Sequence, residues 1–181
     1  VMGPEVSAIE TRLAEAAGTR HCISCSSGTD ALILALLAKG LRPGHGVIVP
    51  SFTFAASAEV MPVLGAIPVF AEVDPATFNL DPAGLPAAMA AARDVGIQID
   101  GIIGVGLFGQ PADYPAISAF AESEGLWLID DAAQSFGASH NGIAVGQLAE
   151  ITCTSFFPAK PLGCYGDGGA VFTNDDSQAE I

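Results

Sequence analysis

The sequence has 181 residues, of which 50% are hydrophobic and 14% are charged, a composition typical of one globular domain with a sizeable core. The formal net charge is −14, because six Lys and Arg residues stand against twenty Asp and Glu residues. This charge argues against a nucleic-acid-binding or membrane-surface protein, since both classes need a basic surface.

Helices and short apolar strands alternate along the chain. Periodicity and capping residues predict helices at 5–17, 29–40, 54–65, 81–94 and 113–125, and the first turns of another at 175–181. Apolar runs predict strands at 46–50, 66–73, 99–106, 126–130, 151–156 and 168–174. This alternation is typical of an α/β domain with a mostly parallel sheet and helices on both faces.

The sequence as given shows no targeting or membrane segment. Its longest purely apolar run, 31–38, is too short to span a bilayer. The first residues lack the basic, apolar and small-residue regions of a signal peptide, so we expect a cytoplasmic protein. A helix as short as 175–181 is unstable without further packing, so we also expect the natural chain to continue beyond Ile181.

Four cysteines raise the question of a metal site. Cys22 and Cys25 form a C-x-x-C pair, a spacing found in zinc and redox sites. A zinc site needs four ligands, however, and Cys153 and Cys164 do not form a second close pair. We therefore predict no metal site and interpret Cys22 and Cys25 as small hydrophobic residues in or beside a strand.

The segment from Gly104 to Gly109 fits the G-x-G-x-x-G pattern of nicotinamide-dependent enzymes, with two aspartates at the end of the next strand. The pattern requires its third glycine to lie in the first turn of a helix that receives the pyrophosphate. Pro111 disfavours helical backbone at Gln110, and the next helix is predicted from Asp113. We therefore favour glycines that line a cleft over a dinucleotide site.

Lys160 lies between Pro158 and Pro161 in the apolar, glycine-rich stretch SFFPAKPLGCYGDGGA. A lysine in a desolvated pocket is partly neutral, and a neutral amine can form a Schiff base with a carbonyl. Alternatively, its stem is buried and its charged head reaches water. The local sequence does not decide between these two interpretations.

Three further segments offer groups that suit a cofactor. Asp131 ends a strand and is followed by Gln134, and a carboxylate there can hold a pyridinium nitrogen, bind a metal or cap a helix. In SSGTDAL, the helix start at Gly28 and Thr29 can bind a phosphate or serve as a plain cap. Phe54, after another strand, can stack on a flat ring or pack in the core. Together with Lys160, these groups are what a pyridoxal phosphate site needs.

The sequence as a whole resembles a known family. The stretches GPEVSAIE, SSGTDALILAL, VIVPSFTFAASAEV, LFGQPADYPAI, IDDAAQSFGA and TSFFPAKPLGCYGDGGAVFTND are similar, in this order, to those of the DegT/DnrJ/EryC1/StrS sugar aminotransferases. The resemblance implies the large domain of the fold type I pyridoxal phosphate-dependent transferases.

The resemblance also implies roles for single residues. Lys160 would form the Schiff base with pyridoxal 5'-phosphate and then act as the acid–base of the reaction. Asp131 would pair with the pyridine nitrogen, and Gln134 would hydrogen-bond the ring hydroxyl. Phe54 would stack on the ring. The phosphate would be held by Gly28, Thr29 and Ser155.

The resemblance further implies an aminotransferase reaction in bacterial surface polysaccharide biosynthesis. The lysine stretch is most similar to enzymes that aminate C3 of a UDP-linked 2-acetamido-3-keto-glucuronic acid with glutamate. The family's chains are about twice as long, so residues 1–181 would form an incomplete large domain, without a short N-terminal segment and the C-terminal small domain. Family members are usually homodimers with sites at the interface.

Two alternatives remain at this stage. The first is a non-catalytic regulatory protein that retains the fold and the cofactor site, as some family members are described. The second is a nicotinamide-dependent enzyme built on the glycines from Gly104 to Gly109.

Overall fold

The computed structural model describes residues 3–181, which contain six α-helices and nine strands. The helices are α1 (Pro4–Ala17), α2 (Gly28–Ala38), α3 (Ala56–Val63), α4 (Leu85–Asp94), α5 (Tyr114–Glu124) and α6 (Asp176–Ala179). The strands are β1 (His21–Cys25), β2 (Gly46–Pro50), β3 (Ile67–Ala71), β4 (Ile99–Val105), β5 (Trp127–Asp131), β6 (Ser139–His140), β7 (Ile143–Ala144), β8 (Ile151–Ser155) and β9 (Gly169–Thr173).

Seven strands form one mixed sheet in the order β1-β9-β8-β5-β4-β2-β3. The neighbouring strands β3, β2, β4, β5 and β8 run parallel to one another. β9 lies antiparallel to both β8 and β1. The two remaining strands, β6 and β7, form a small antiparallel hairpin. The predicted α/β class with a mostly parallel mixed sheet is thereby confirmed.

Helices cover both faces of the sheet. On β4, Ile102 packs in a cluster with residues of α4 and α5, whereas Ile103 packs in a second cluster with residues of α2 and α3. Leu128 and Ile129 on β5 divide between the same two clusters, because successive side chains of a strand point to opposite faces. Burial on both faces explains why the parallel strands are almost wholly apolar in sequence.

Most predicted elements are present, with shifted ends. α3 covers Ala56–Val63, a shorter span than the predicted 54–65. Asp81 caps a 3-10 turn before α4 and accepts a hydrogen bond from the Ala83 amide at 2.9 Å. The longest described helix, α1, has 14 residues. Within residues 3–181, no helix combines the length and the apolar character that a membrane crossing requires.

The strand order brings the carboxyl ends of the parallel strands to one edge of the sheet, where ligands bind in open α/β domains. β5 ends at Asp131, which lies in register with Val105 on β4 and with Cys153 on β8. β8 ends two residues later, at Ser155. A ligand site is therefore expected at this edge of the sheet.

Candidate active site

A cavity of about 900 Å³ opens at this edge of the sheet. It is lined by residues from the start of α2, the segment before α3, the end of β5 and the loop after β8. All seven residues predicted for the site line it: Gly28, Thr29, Phe54, Asp131, Gln134, Ser155 and Lys160. The structure thus brings together residues that lie up to 132 positions apart in the sequence (160 minus 28).

The amine of Lys160 faces the cavity without a carboxylate partner. Its Nζ atom lies 5.7 Å from the ring centroid of Phe54, and no hydrogen bond or ion pair joins it to another of residues 3–181. The chain's other lysine, Lys39, forms an ion pair with Glu150. Lys160 is half-buried and its amine is left for a ligand, which favours the nucleophile interpretation over a surface lysine.

Asp131 is a buried carboxylate with two hydrogen-bond donors, one for each oxygen. Ser57 Oγ donates to Oδ2 at 2.7 Å, and the Ala133 amide donates to Oδ1 at 3.2 Å. Burial raises the pKa of Asp131, and this rise is opposed by the two donors and by the charge of Lys160. A buried carboxylate with a perturbed pKa at the edge of a cavity is typical of a functional site.

Asp130 points to the opposite face of β5 and plays no part in the cavity. Tyr114 donates a hydrogen bond to its Oδ1 atom, while its buried Oδ2 atom has no partner among the described residues. Burial and the neighbouring charge of Asp131 raise the pKa of Asp130 well above its usual range. Asp130 is thus a buried core residue, and Asp131 is the one of the two adjacent aspartates that lines the cavity.

The start of α2 forms a concave, hydrogen-bond-donating corner against the end of β8. Gly28 lies so close to β8 that a Cβ atom on it would be 2.7 Å from the Cβ atom of Ser155. The first amides of a helix have no partner within the helix, so the Gly28 and Thr29 amides suit an anion. Asp30 does not conflict with this, because it does not line the cavity and its carboxylate accepts hydrogen bonds from the hydroxyls of Ser26 and Ser27.

Gln134 is anchored beside the cavity by the segment that follows β4. The Phe108 amide donates a hydrogen bond to Gln134 Oε1 at 3.3 Å. Phe108 lies at the cavity edge and adopts a left-handed conformation with φ of 56°, which is unusual for a bulky residue. The structure therefore couples Gln134 to a strained turn that the sequence did not reveal.

The glycine pattern after β4 lacks the geometry of a dinucleotide site. Leu107–Gly109 form a single 3-10 turn, and Gln110 is extended. α5 begins only at Tyr114, where Asp113 caps it by accepting a hydrogen bond from the Ala116 amide. No helix start therefore meets the glycines, and the nicotinamide alternative loses its structural basis.

Comparison with known proteins agrees with this geometry. The sequence model that describes the DegT/DnrJ/EryC1/StrS aminotransferase family matches residues 1–181 of this chain. The chain belongs to this family. The resemblance drawn from the sequence motifs is thereby confirmed.

Similar proteins of this aminotransferase family extend the comparison. The UDP-2-acetamido-2-deoxy-3-oxo-D-glucuronate aminotransferase of Pseudomonas aeruginosa is 52% identical over 179 residues, which are 99% of this chain and 48% of that protein. A DegT DnrJ EryC1 StrS aminotransferase structure from Brucella abortus has a TM-score of 0.96 and 51% identity, over 99% of this chain and 48% of that one. NtdA from Bacillus subtilis, solved with bound cofactor PMP, has a TM-score of 0.90 and 33% identity, over 99% of this chain and 39% of that one. The chain spans about half the length of the curated relatives it matches.

Sequence reasoning missed several residues that this aminotransferase-family chain places at the cavity. Thr53, Phe108 and Asp167 line it, and Ser57 contacts Asp131 from behind. The four-residue spacing of Thr53 and Ser57 across a helix start was the one available signal. The contact of Ser57 with Asp131, 74 positions away, is a property of the fold alone.

Proposed function

We propose that residues 1–181 are the cofactor-binding large domain of a pyridoxal phosphate-dependent sugar aminotransferase. The observation that carries this proposal is the free amine of Lys160 in one cavity with the buried carboxylate of Asp131. Coverage of 48% of the Pseudomonas aeruginosa relative fits one domain of a two-domain protein, completed by a short N-terminal segment and a C-terminal small domain.

The part of the cavity lined by Phe54, Asp131, Gln134 and Lys160 fits the ring of pyridoxal 5'-phosphate. When bound, this cofactor supplies an electron sink that stabilises negative charge next to the transferred nitrogen. In this proposal the Lys160 amine holds the cofactor covalently and, once displaced, moves a proton to and from the substrate carbon. The Asp131 carboxylate keeps the ring nitrogen protonated, Gln134 hydrogen-bonds the ring hydroxyl, and Phe54 stacks on the ring.

The corner between α2 and β8 fits the cofactor's phosphate. In this proposal the amides of Gly28 and Thr29 and the hydroxyl of Ser155 donate hydrogen bonds to it. A larger side chain at position 28 would fill the space against Ser155, so glycine keeps the corner open.

The substrate we propose is a UDP-linked 2-acetamido-3-keto-glucuronic acid, aminated at C3 with glutamate as donor for bacterial surface polysaccharide. The name of the Pseudomonas aeruginosa relative supports the sugar. We propose a cytoplasmic location. The reason is that a charged nucleotide sugar does not cross membranes, so the enzyme must lie in the compartment where the sugar is made. Among the described lining residues Lys160 is the one cation, beside Asp131 and Asp167. The cations that hold a diphosphate must therefore come from outside this domain.

A second copy of the chain is the partner that best completes the site. Phe52, Phe78 and Phe108 form an exposed aromatic patch beside the cavity, with ring centroids 5.5 Å and 6.0 Å apart. Their exposed fractions are 49%, 43% and 69%. We propose that this patch is buried in a homodimer, which would also bring a partner's side chains to the cavity.

Sedimentation of the protein as its gene encodes it tests the homodimer. Phe78→Asp should shift the dimer toward monomer, because it buries a charge in the patch. Aspartate tolerates the left-handed backbone at this position, so the change is not expected to strain the fold. Val95→Asp, at an equally apolar but distant exposed position, is the matched control. Wild-type protein that sediments as a monomer at all concentrations contradicts the proposal.

Amine transfer tests the proposed reaction. The protein as its gene encodes it, loaded with pyridoxal phosphate, should form 2-oxoglutarate from glutamate when a UDP-3-keto-sugar is supplied. A panel of keto-sugars that differ at C6 identifies the sugar. A cofactor that binds but never exchanges its amine with glutamate would favour the regulatory alternative instead.

A further inference from the structure

Ser57 is a buried hydroxyl in the first turn of α3. Its side chain is fully buried, whereas serine is mostly exposed in proteins, and a buried hydroxyl needs hydrogen-bond partners. It has two, because its Oγ atom lies 2.7 Å from Asp131 Oδ2 and 3.1 Å from Thr53 Oγ1. Thr53 itself lines the cavity.

The direction of these hydrogen bonds follows from the number of protons. A carboxylate oxygen can only accept, so Ser57 must give its one proton to Asp131. Thr53 must then donate to Ser57, which leaves a chain of donors that runs from Thr53 through Ser57 to Asp131. The Ala133 amide donates to the other oxygen at 3.2 Å, so both oxygens are fixed while the carboxylate remains at the cavity.

This arrangement opposes the effect of burial on Asp131. Removal from water favours the neutral acid, whereas hydrogen bonds donated to a carboxylate favour the charged form. An Asp131 that partners a protonated ring nitrogen must be charged and held in one orientation. A side-chain donor that is itself locked by burial supplies both conditions.

We propose that Ser57 is a positioning residue, whose hydroxyl holds the Asp131 carboxylate in the orientation and ionised form that bind the cofactor's ring nitrogen. This inference rests on the proposed function. Substitutions at Ser57 leave the other titratable groups around Asp131 in place. These groups are Lys160 and Asp167 across the cavity, Cys153 on β8, and Asp130 with its partner Tyr114 on the opposite face of β5.

The test is the dissociation constant of pyridoxal phosphate, measured by equilibrium dialysis from pH 5.5 to pH 8.5 with the protein as its gene encodes it. Ser57→Ala should weaken binding by about tenfold, the worth of a hydrogen bond to a charged group. The pKa of Asp131 rises when the donor is lost. The ratio of the variant's constant to that of wild type should therefore be largest at the acid end and fall as pH rises.

Two further variants separate this role from a general packing effect. Thr53→Val removes the upstream donor at a half-buried position and should produce a smaller change of the same form. In an Asp131→Asn background, Ser57→Ala should have no further effect, because the carboxylate it serves is gone.

Three results overturn the inference. The first is a ratio of dissociation constants, Ser57→Ala over wild type, that is the same at every pH. The second is an equal loss of affinity when Ser57→Ala is made in the Asp131→Asn background. The third is a Ser57→Ala variant that binds pyridoxal phosphate as tightly as wild type. If wild-type protein binds no pyridoxal phosphate, the proposed function fails as well. If wild type binds and only the Ser57 results fail, the proposed function stands without this inference.

Discussion

Replacing Lys160 with alanine is expected to abolish covalent attachment of pyridoxal phosphate and to lower kcat by at least about 10³-fold. The amine of Lys160 is the nucleophile and the proton carrier in the proposed reaction, and its free position beside Phe54 offers no substitute group within hydrogen-bond reach. Absorption of the bound cofactor and the rate of 2-oxoglutarate formation from glutamate measure the two effects.

Lys39→Ala is the matched control for this substitution. Lys39 pairs with Glu150 through a mostly buried side chain and does not line the cavity. Because Lys39 lies outside the cavity, the control should bind cofactor and turn over like wild type, and any cost of losing the ion pair should appear as a lower melting temperature. Turnover retained in Lys160→Ala, or lost in Lys39→Ala, would show that the reacting lysine has been misassigned.

Asp131→Asn should leave the fold intact and lower kcat by about 10²–10³-fold. The amide has the size of the carboxylate but cannot stabilise a protonated ring nitrogen, so the cofactor loses most of its capacity to accept electrons. Affinity for pyridoxal phosphate should fall at the same time. Steady-state kinetics and equilibrium dialysis measure these two quantities.

The neighbouring residue provides the control. Asp130→Asn makes the same chemical change one position earlier, on the face of β5 that packs against Tyr114. Because Asp130 does not line the cavity, cofactor affinity should stay close to the wild-type value, and any cost should appear as a lower melting temperature. Equal losses of affinity in the two variants would argue against the assignment of Asp131.

Much of the fold is local in origin and was therefore predictable. Apolar strand runs such as 46–50 and capped helices such as α2 are specified by neighbouring residues. The pairing of β9 with β1 was not predictable, because it joins segments that lie far apart in the chain.

Some residues of the candidate site could likewise be predicted from the sequence, and others could not. Lys160, Asp131 and Gly28 stand out in sequence because a lysine between prolines, a carboxylate after a strand and a glycine at a helix start each suggest a chemistry. Ser57 carries no such sign, since its importance arises from one contact across 74 residues. The left-handed backbone at Phe108 was also hidden, because bulky residues rarely adopt it and no sequence pattern marks it.

Reductive trapping of the bound cofactor identifies the lysine that holds it. The protein as its gene encodes it is mixed with pyridoxal phosphate, reduced with borohydride, digested and analysed by mass spectrometry. If Lys160 holds the cofactor, a phosphopyridoxyl group will be found on the peptide that contains Lys160 and none on the peptide that contains Lys39. A protein that carries no adduct, or carries it on Lys39, would show that Lys160 does not hold the cofactor.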